Sequence, residues 1–297
     1  MTAEFTEPHS YLDVGHSKLA YYVSGKGPDV VFVHGWPLYA ATFRRIVPTL
    51  ARHFTCHLID LPGAGRSRIT ETTPIDLLSH ATTLTRAISK LRLQKFALLA
   101  HDSGGAVARL AAADDDRVAG LVLADTEIPG HHPWVIGMYA AMARFPPSIH
   151  VTRALMKIPA IRRSGIGFGG CFSDPAYVDG EFGGLFVRPM LGSLSVMRNH
   201  MRLMESVDFS QIDALTAVHG RIRARTRLIW GTDDPFFPVA LARSMTLEFA
   251  GGAELVEIGG ARLFSHEDHS EAFAAHALDF LRKCFATSDA ERVAAAG

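Results

Sequence analysis

Short apolar runs alternate with amphipathic segments along the first half of the chain. A short apolar run predicts a strand, and apolar residues that recur every three or four positions predict a helix. The predicted strands are KLAYYV (18–23), DVVFV (29–33), FTCHLI (54–59), FALLA (96–100) and VAGLVLA (118–124). The predicted helices cover 43–51, 75–92 and 104–113. Apolar strands that alternate with helices are typical of a parallel sheet covered on both faces.

This alternation stops between residues 128 and 214 and then resumes. The interrupting stretch is rich in Pro, Gly and Met, and its helical segments, such as WVIGMYAAMARF, are not accompanied by a convincing strand. Strands resume at 225–231 and 254–260, each followed by a helix. A helical insertion of this kind covers the carboxyl ends of parallel strands, where such sheets bind ligands. We therefore predict a core domain made of 1–127 and 215–297, with a helical cap (lid) made of 128–214.

The sequence LLAHDSGGAV places two side chains able to act as nucleophiles at a predicted strand-to-helix turn. A nucleophile on such a turn needs small neighbours, because the strained backbone brings the flanking residues together. Asp102 has the small flanks Ala100 and Gly104. The upstream flank of Ser103 is His101, whose ring is bulky. The pattern favours attack by Asp102 over attack by Ser103, and the structural alternative is that Asp102 only caps the helix.

The composition indicates a globular protein without a charge that would attract nucleic acid. The chain has 297 residues, 48% of them hydrophobic, and its 30 basic residues balance 30 acidic ones. We find no signal peptide and no apolar run near the length of about 18 residues needed to span a bilayer. Three cysteines without metal-ligand spacing, Cys56, Cys171 and Cys284, are expected to be reduced core residues. We expect a cytoplasmic protein with no cofactor, no metal, and neither nucleic acid nor membrane as a partner; a homodimer is left open.

Four motifs together resemble the α/β-hydrolase superfamily, on the branch that uses an aspartate nucleophile. They are HGWP (34–37), DLPGAGRS (60–67), LLAHDSGG (98–105) and GTDDP (231–235), in the order found in that superfamily. The branch includes epoxide hydrolases, haloalkane dehalogenases and fluoroacetate dehalogenases. The resemblance covers about 1–127 and 215–285. It implies an α/β-hydrolase fold, with a mostly parallel central sheet flanked by helices and an inserted helical cap.

The resemblance also implies roles for residues at the matching positions. The backbone N–H groups of Trp36 and Ser103 would form an oxyanion hole, so Ser103 would act through its amide. Such donors are effective because they are fixed before charge develops on the intermediate. Asp234 matches the acid that orients a catalytic histidine. Glu127 is the alternative acid, because some dehalogenases place theirs just after the strand that here ends in LVLADTE.

The region where the superfamily carries its catalytic histidine departs from the pattern. It reads IGGARLFSHED, which puts Leu263 at the histidine position and Arg262 before it. Leucine cannot accept a proton, so the step that needs a general base is expected to be impaired. His266, further along the same loop, is either a relocated base or a packing residue. His101, beside Asp102, is expected to pack under the turn.

The predicted cap limits the choice of leaving group. Haloalkane dehalogenases usually hold the halide with a tryptophan directly after the nucleophile, where this chain has Ser103. Fluoroacetate dehalogenases hold a carboxylate with arginines directly after and shortly beyond the aspartate, where the sequence DSGGAVAR offers only Arg109. Epoxide hydrolases use cap tyrosines as donors to the opening oxygen, and this cap offers Tyr139 and Tyr177. Tyr139 is either such a donor or a packing residue. Met197 stands where the family has a tyrosine.

We therefore predict an epoxide-hydrolase-like enzyme that acts on a small or medium apolar substrate. Asp102 would attack carbon directly and form an alkyl ester, a step that does not need the histidine. The alternative is a homologue that has lost the histidine and either performs a non-hydrolytic reaction, such as a rearrangement or cyclisation, or only binds a ligand. A dehalogenase is disfavoured.

Overall fold

An eight-stranded sheet forms the centre of the protein in a computed structural model, which describes residues 5, 7–145 and 147–295. The strands are β1 (Ser10–Asp13), β2 (Lys18–Ser24), β3 (Asp29–Val33), β4 (Thr55–Ile59), β5 (Phe96–His101), β6 (Val118–Ala124), β7 (Thr226–Gly231) and β8 (Ala253–Ile258). Their order across the sheet is β1-β2-β4-β3-β5-β6-β7-β8. Strand β2 is antiparallel to both of its neighbours, and the pairs from β4 to β8 are parallel.

Helices cover the sheet and fill the long connection between β6 and β7. The α-helices are α1 (Val47–Leu50), α2 (Leu77–Lys90), α3 (Ser103–Ala112), α4 (Trp134–Ala143), α5 (Ser148–Met156), α6 (Pro159–Arg162), α7 (Arg188–Gly192), α8 (Leu194–Glu205), α9 (Phe209–Asp213), α10 (Leu215–His219), α11 (Val239–Met245), α12 (Ser265–Asp268) and α13 (Ser270–Ala295). Short 3-10 segments lie at Ala40–Arg45, Phe168–Cys171, Pro175–Asp179 and Thr246–Glu248, and a π-helical turn at Gly183–Val187.

Most of the core strands and helices predicted from the apolar pattern are confirmed, with ends displaced by one or two residues. The continuous helix predicted over 43–51 is wrong. The chain there forms the 3-10 segment Ala40–Arg45 and then the single turn α1. Pro48 lies at the start of that turn, and a proline inside a longer helix would remove a hydrogen bond and clash with the preceding turn.

Strand β1 is an element that the apolar pattern did not predict. It has four residues, pairs with β2 at the sheet edge, and none of its side chains is fully buried. An edge strand that is solvated on one side needs no continuous apolar run. Because its end residues, Ser10 and Asp13, are polar, the apolar pattern does not predict this strand.

The parallel register brings the ends of four strands to one edge of the sheet. Val33 of β3 and Leu123 of β6 both pair with Ala100 of β5, and Ala124 of β6 pairs with Ile229 of β7. The residues that follow these strands therefore lie close together, as expected for a parallel sheet that binds ligands at this edge.

The connection between β6 and β7 contains α4 to α10 and, within the described residues, no strand. Side chains from this connection, including Val135, Met156 and Met201, line a cavity together with Trp36 and Asp102 at the strand ends. The connection thus covers the edge where the strand ends meet. The boundaries predicted for the cap and the core stay predictions, and residues 1–4, 6, 296 and 297 of the predicted core lie outside the described residues.

Candidate active site

Asp102 occupies the turn between β5 and α3 in a backbone conformation that few residues adopt. Its φ is 51° and its ψ is −139°, and strained conformations of this kind persist only where the surrounding structure fixes them. Its carbonyl oxygen accepts hydrogen bonds from the Gly105 N–H at 2.7 Å and the Thr126 hydroxyl at 2.8 Å. These bonds hold the turn in a shape that aims the carboxyl group away from the sheet and under the cap.

The turn leaves no space for larger neighbours. A Cβ atom at Gly35 would lie 2.5 Å from the Cβ of Asp102, and one at Gly104 would lie 2.4 Å from the Val33 carbonyl oxygen. Ala100, the upstream flank, is fully buried. The small residues on both sides of Asp102 are therefore required by backbone packing, which is the physical basis of the pattern read from the sequence.

The two amides predicted to form an oxyanion hole lie beside the Asp102 carboxyl. Burial, and then the charge of Glu127, raise the pKa of this carboxyl well above its usual range, while hydrogen bonds from the Ser103 and Trp36 amides oppose the rise. The Trp36 N–H also donates to the Ser103 hydroxyl at 2.9 Å. The Ser103 hydroxyl thus accepts a bond from the backbone on the opposite side of the site, which supports a role for Ser103 in orienting donors.

Asp102 lines two cavities under the cap, with volumes of about 70 and about 80 Å³. The first, called here the apolar cavity, is lined by Trp36, Pro37, Asp102, Val135, Ile136, Tyr139, Thr152, Met156, Gly167, Phe168, Cys171, Met190, Met197, Met201, Phe236, Phe237, Leu263 and Phe264. Among these described residues Asp102 is the one with a carboxylate. The second is also lined mostly by apolar side chains, and it is called here the polar cavity because His80, Glu127, His131 and Asp208 line it as well.

Asp234, the predicted orienting acid, is buried with half of its carboxylate unused. Its Oδ1 accepts hydrogen bonds from the N–H groups of Phe236 at 2.7 Å and Phe237 at 3.1 Å. Its Oδ2 is buried and has no hydrogen-bond partner among the described residues. Burial raises the pKa of Asp234 to about 7. A buried acceptor without a donor is unusual and marks the place where a donor would be expected.

Leu263 lies in the wall of the apolar cavity, at the position where the resemblance implies a histidine. Its backbone carbonyl accepts a hydrogen bond from His101 Nε2 at 2.8 Å. Burial lowers the pKa of His101 to about 3, so its ring is neutral, and the ring packs against Phe264 with 5.3 Å between centroids. His101 therefore packs under the turn and holds the loop that carries Leu263.

The structure does not bring His266 to the Asp102 carboxyl. The ring of His266 is fully buried, its Nε2 lies 2.6 Å from the Thr42 hydroxyl, and its centroid is 4.2 Å from that of His101. It lines neither cavity. Burial also lowers the pKa of His266 well below its usual range. This environment supports the packing role over the role of a relocated base, because a general base must reach the proton that it removes.

Glu127, the alternative acid, also lies near Asp102, because its charge raises the pKa of the Asp102 carboxyl. It lines the polar cavity, and its Oε2 lies 2.8 Å from the Thr126 hydroxyl oxygen, whose hydrogen is donated to the Asp102 carbonyl. Burial raises the pKa of Glu127, and the positive charge of Arg109, whose Nη2 is 3.9 Å from Oε2, opposes the rise. The charges of both predicted acids act on the Asp102 carboxyl, so both lie close to it, and their assignment stays a prediction.

Neither predicted cap tyrosine has a free hydroxyl. Tyr139 lines the apolar cavity, but its hydroxyl donates to the Ile166 carbonyl. Tyr177 lines neither cavity, and its hydroxyl donates to the Glu267 carbonyl at 3.2 Å. The structure brings Tyr139 to the site and leaves Tyr177 outside it, so Tyr177 is not positioned to donate to a substrate in either cavity.

Thr152 and Cys171 line the apolar cavity, although the sequence did not single them out as site residues. The Thr152 hydroxyl is buried and without a hydrogen-bond partner among the described residues. Burial, followed by the charges of Asp234 and Asp102, raises the pKa of the Cys171 thiol, so it is a neutral group. The apolar pattern of the sequence does not indicate which face of α5 points inward, because two of its three buried residues, Ser148 and Thr152, are polar, whereas Val151 and Leu155 are exposed.

Arg109 and two histidines were also missed as parts of the site. Arg109 is fully buried in α3 and donates to the Thr126 hydroxyl at 3.1 Å and the Glu127 carbonyl at 2.8 Å. Its signal was an arginine within the apolar sequence GGAVARLAAA. His131 donates from Nε2 to the Phe236 carbonyl at 2.7 Å, and His80 donates to the Pro62 carbonyl at 3.1 Å. These bonds fix both rings in the wall of the polar cavity.

The three cysteines are buried and form no disulfide in the described structure, as predicted. Within the part of the chain that the structure describes, no cluster of three His, Cys, Asp or Glu side chains has the arrangement of a metal site. No helix among the described residues is long and apolar enough to cross a bilayer.

Comparison with known proteins gives similarities to several kinds of hydrolase. A family profile described as "alpha/beta hydrolase fold" matches residues 28–150. A pimeloyl-[acyl-carrier protein] methyl ester esterase of Stenotrophomonas maltophilia is 53% identical over 55 residues, which are 18% of this chain and 21% of the esterase. A soluble epoxide hydrolase of a Corynebacterium species is 34% identical over 131 residues, 44% of each chain. A haloalkane dehalogenase of Mycobacterium marinum is 29% identical over 181 residues, 57% of this chain and 60% of that enzyme.

These matches span about a fifth to three fifths of the length of the curated relatives. Solved structures resemble the whole chain more evenly. An α/β-hydrolase-fold protein of Burkholderia ambifaria superposes with a TM-score of 0.78, covering 92% of this chain and 98% of that chain at 23% identity. An identity this low carries the similarity of fold and does not extend to the reaction.

The unused oxygen of Asp234 gives a prediction about stability and pH. A carboxyl whose pKa is about 7 when folded, against 3.8 when unfolded, adds no penalty below about pH 4 and destabilises the fold progressively up to about pH 7. We expect Asp234→Asn to remove this loss. The unfolding temperature relative to that of the unmodified chain should rise by roughly 5 °C more at about pH 8 than at about pH 5.

The control is Asp233→Asn, because Asp233 is the exposed neighbour of Asp234. We expect no pH-dependent difference for this variant when unfolding is followed by circular dichroism. Asparagine at 234 introduces a buried donor whose cost does not change with pH. An effect of Asp234→Asn that is equal at both pH values would therefore contradict the raised pKa.

Proposed function

We propose that this chain, which has the α/β-hydrolase fold, is an epoxide-hydrolase-like enzyme whose nucleophile is Asp102. The substrate would be a small or medium apolar molecule held in the apolar cavity, and the product of the first step an alkyl ester on Asp102. The observation that carries the proposal is the Asp102 carboxyl itself. It stands on a strained turn, faces the Trp36 and Ser103 amides, and is the carboxylate of an otherwise apolar cavity.

Burial favours the ester over the free carboxylate. The Asp102 carboxylate is desolvated and lies near the charges of Glu127 and Asp234, which is why its pKa is raised. Attack of a carboxylate oxygen on an epoxide carbon breaks the carbon–oxygen bond and leaves a neutral ester on the protein. The departing oxygen takes a proton from water. The reaction thus removes a buried charge from the neighbourhood of two other acids.

The second step, hydrolysis of the ester, lacks its usual base. Leu263 fills the wall where the resemblance implies a histidine, and Asp234 Oδ2 has no donor to orient. General-base assistance is worth about 10²- to 10⁴-fold. We therefore propose that Asp102 is loaded readily and released slowly.

A second candidate function follows from the same residue. A site that binds a substrate or forms an ester with it, but does not hydrolyse that ester, suits a non-hydrolytic reaction such as a rearrangement or cyclisation. It also suits ligand binding alone. Leu263 in the wall of the apolar cavity is the observation that favours this alternative. The strained turn at Asp102 favours retained chemistry, because binding alone does not require it.

The Thr152 hydroxyl favours a substrate that carries an oxygen atom. It is the buried hydrogen-bonding group of the apolar cavity that has no partner among the described residues, whereas the hydroxyl of Tyr139 is bonded to Ile166. We assign to Thr152 the binding of the epoxide oxygen, in place of the cap tyrosines. Its role is to hold the substrate by donating a hydrogen bond to the epoxide oxygen.

The first test is intact-protein mass spectrometry after exposure to a panel of epoxides and alkyl halides. We expect a stable adduct of one substrate mass, mapped to Asp102 by peptide analysis. The variant Asp102→Asn should form none, and Asp233→Asn, which changes an exposed carboxylate, should form as much as the unmodified chain. Rapid multiple turnover would contradict slow release and direct attention to Glu127 and His131 in the polar cavity. Absence of both adduct and turnover would reject the hydrolase.

The second test restores a base with Leu263→His. We expect the ester to be released faster by about 10²-fold or more, because the new imidazole would meet the free oxygen of Asp234. The double variant Leu263→His/Asp234→Asn is the control and should lose most of the gain. The rate is measured as decay of the adduct by mass spectrometry. An unchanged decay rate would show that the cavity has been reshaped for a reaction other than hydrolysis.

The third test concerns Thr152→Val, which keeps the shape of the side chain and removes its hydroxyl. We expect adduct formation from epoxides to slow by about tenfold, the effect of one lost hydrogen bond. Adduct formation from alkyl halides without oxygen should not change. Thr152→Ser should restore the reaction with epoxides. An equal loss with both substrate classes would mean that Thr152 only packs.

A further inference from the structure

The first half of the cap has an unusual distribution of charge. Residues 128–173 contain no Asp or Glu, although the chain has 30 acidic residues among its 297. The same stretch carries five basic residues, namely Arg144, Arg153, Lys157, Arg162 and Arg163. Arg162 and Arg163 share the carboxylate of Asp179, so that pair keeps a net positive charge. This stretch of the cap therefore keeps a net positive charge, on a chain whose formal net charge is zero.

The same stretch exposes large apolar side chains. Within the described residues, six of the ten exposed large hydrophobic side chains fall between 134 and 166. They are Trp134, Phe145, Val151, Leu155, Ile158 and Ile166, of which Trp134 is 69% and Phe145 62% exposed. Together with the exposed bases Arg144, Lys157 and Arg163, these six residues are called here the cap patch. Apolar exposure this concentrated marks a surface that binds something.

Helix α5 connects the cap patch to the active site. Its residues Thr152 and Met156 are buried and line the apolar cavity, while Val151 and Leu155 are exposed on its other side. A single short helix thus has one face in the cavity and the other in the patch. The exposed surface at α5 and the apolar cavity are therefore separated by the thickness of one helix.

A groove provides the path. It has a volume of about 670 Å³ and is lined by Trp134 and Ile166 of the cap patch and by Arg262. Val135 and Phe236 line both this groove and the apolar cavity. The groove and the cavity are therefore separated by shared side chains, and two residues of the cap patch, Trp134 and Ile166, line the groove itself.

We propose that the cap patch docks on an anionic lipid surface, from which apolar molecules enter the cavity along the groove. Exposed aromatic and aliphatic side chains beside basic ones are the combination that holds a peripheral protein in the headgroup region. A second copy of the chain is a poorer fit, because pairing two such patches would bring like charges together. The sequence predicted no membrane partner from the lack of a spanning segment, and peripheral docking does not need one.

The test is flotation of the full chain with vesicles, and it does not depend on the proposed reaction. The probes are vesicles of phosphatidylcholine alone and of an equimolar mixture of phosphatidylcholine and phosphatidylglycerol. We expect the chain to float with the mixed vesicles, weakly or not at all with phosphatidylcholine alone, and less as salt increases. Asp102→Asn should float as the unmodified chain does, so that docking and chemistry are tested separately.

Two variants remove the two components of the cap patch. We expect Leu155→Ser/Ile158→Ser and Lys157→Glu/Arg163→Glu each to lower the vesicle-bound fraction by about tenfold. The matched controls lie outside the patch: Leu247→Ser changes a leucine that is 90% exposed, and Lys90→Glu changes an exposed lysine. Both controls should float normally. Circular dichroism of each variant checks the fold.

Three results would overturn the proposal. The first is the absence of flotation with mixed vesicles, and the second is equal flotation of the patch variants and the unmodified chain. The third is a dimer, detected by light scattering, that the patch variants dissociate and that does not float, which would make the patch an interface between copies. Saturable binding of an acidic protein, together with the absence of flotation, would also overturn the proposal and would assign the patch to a protein partner.

Discussion

Burying the carboxyl group of Asp102 costs free energy, and the elements around it are arranged to limit that cost. The strained turn between β5 and α3 brings the Ser103 amide to the carboxyl, and the chain after β3 brings the Trp36 amide. The two segments can approach each other because residue 35 is a glycine. A side chain at this position would collide with Asp102. Two fixed donors oppose the desolvation of one anion, and the ends of two parallel strands are needed to supply them.

The same region holds more acids than its bases can neutralise. Asp102, Asp125, Glu127 and Asp234 all follow strand ends at one edge of the sheet, and burial raises the pKa of each. Asp125 is fully hydrogen-bonded, because its oxygens accept from the Gly231 N–H at 2.8 Å and the Ser265 hydroxyl at 2.7 Å. Asp234 differs from it in having one oxygen without a donor. An imidazole at position 263, where the resemblance implies one, would offer a donor to that oxygen and so would act on the electrostatics of this edge as well as on a reaction step.

The sequence predicted the fold class, and comparison with known structures confirms it. It could do so because the fully buried strands and the turn around Asp102 are determined by local patterns of apolar and small residues. The edge strand β1 was missed because its side chains are half solvated. The positions of Asp102, Trp36 and Ser103 relative to one another follow from the parallel register, which a sequence motif reflects directly.

The cap residues could not be predicted in the same way. Which side of α5 points inward depends on how several short helices pack. The buried side carries the polar residues Ser148 and Thr152 and the exposed side carries Val151 and Leu155, so the apolar pattern did not single out Thr152. For the same reason Tyr139 and Tyr177 had equal standing in the sequence, and only the three-dimensional structure separates them. His266 follows the loop of Leu263 closely, but the direction of its ring is decided by the contact with Thr42, which lies more than two hundred residues earlier in the chain.

The hydrogen bond from His101 to the Leu263 carbonyl has an evolutionary consequence. It anchors the loop through its backbone, so the position of the loop does not depend on which side chain residue 263 carries. Two of the leucine codons differ from the histidine codons by one nucleotide. A lineage with this scaffold can therefore gain or lose an imidazole at the site by a single point mutation, without remodelling the loop. If the proposed mechanism holds, a protein that keeps its ester and one that hydrolyses it are separated by one mutational step in either direction.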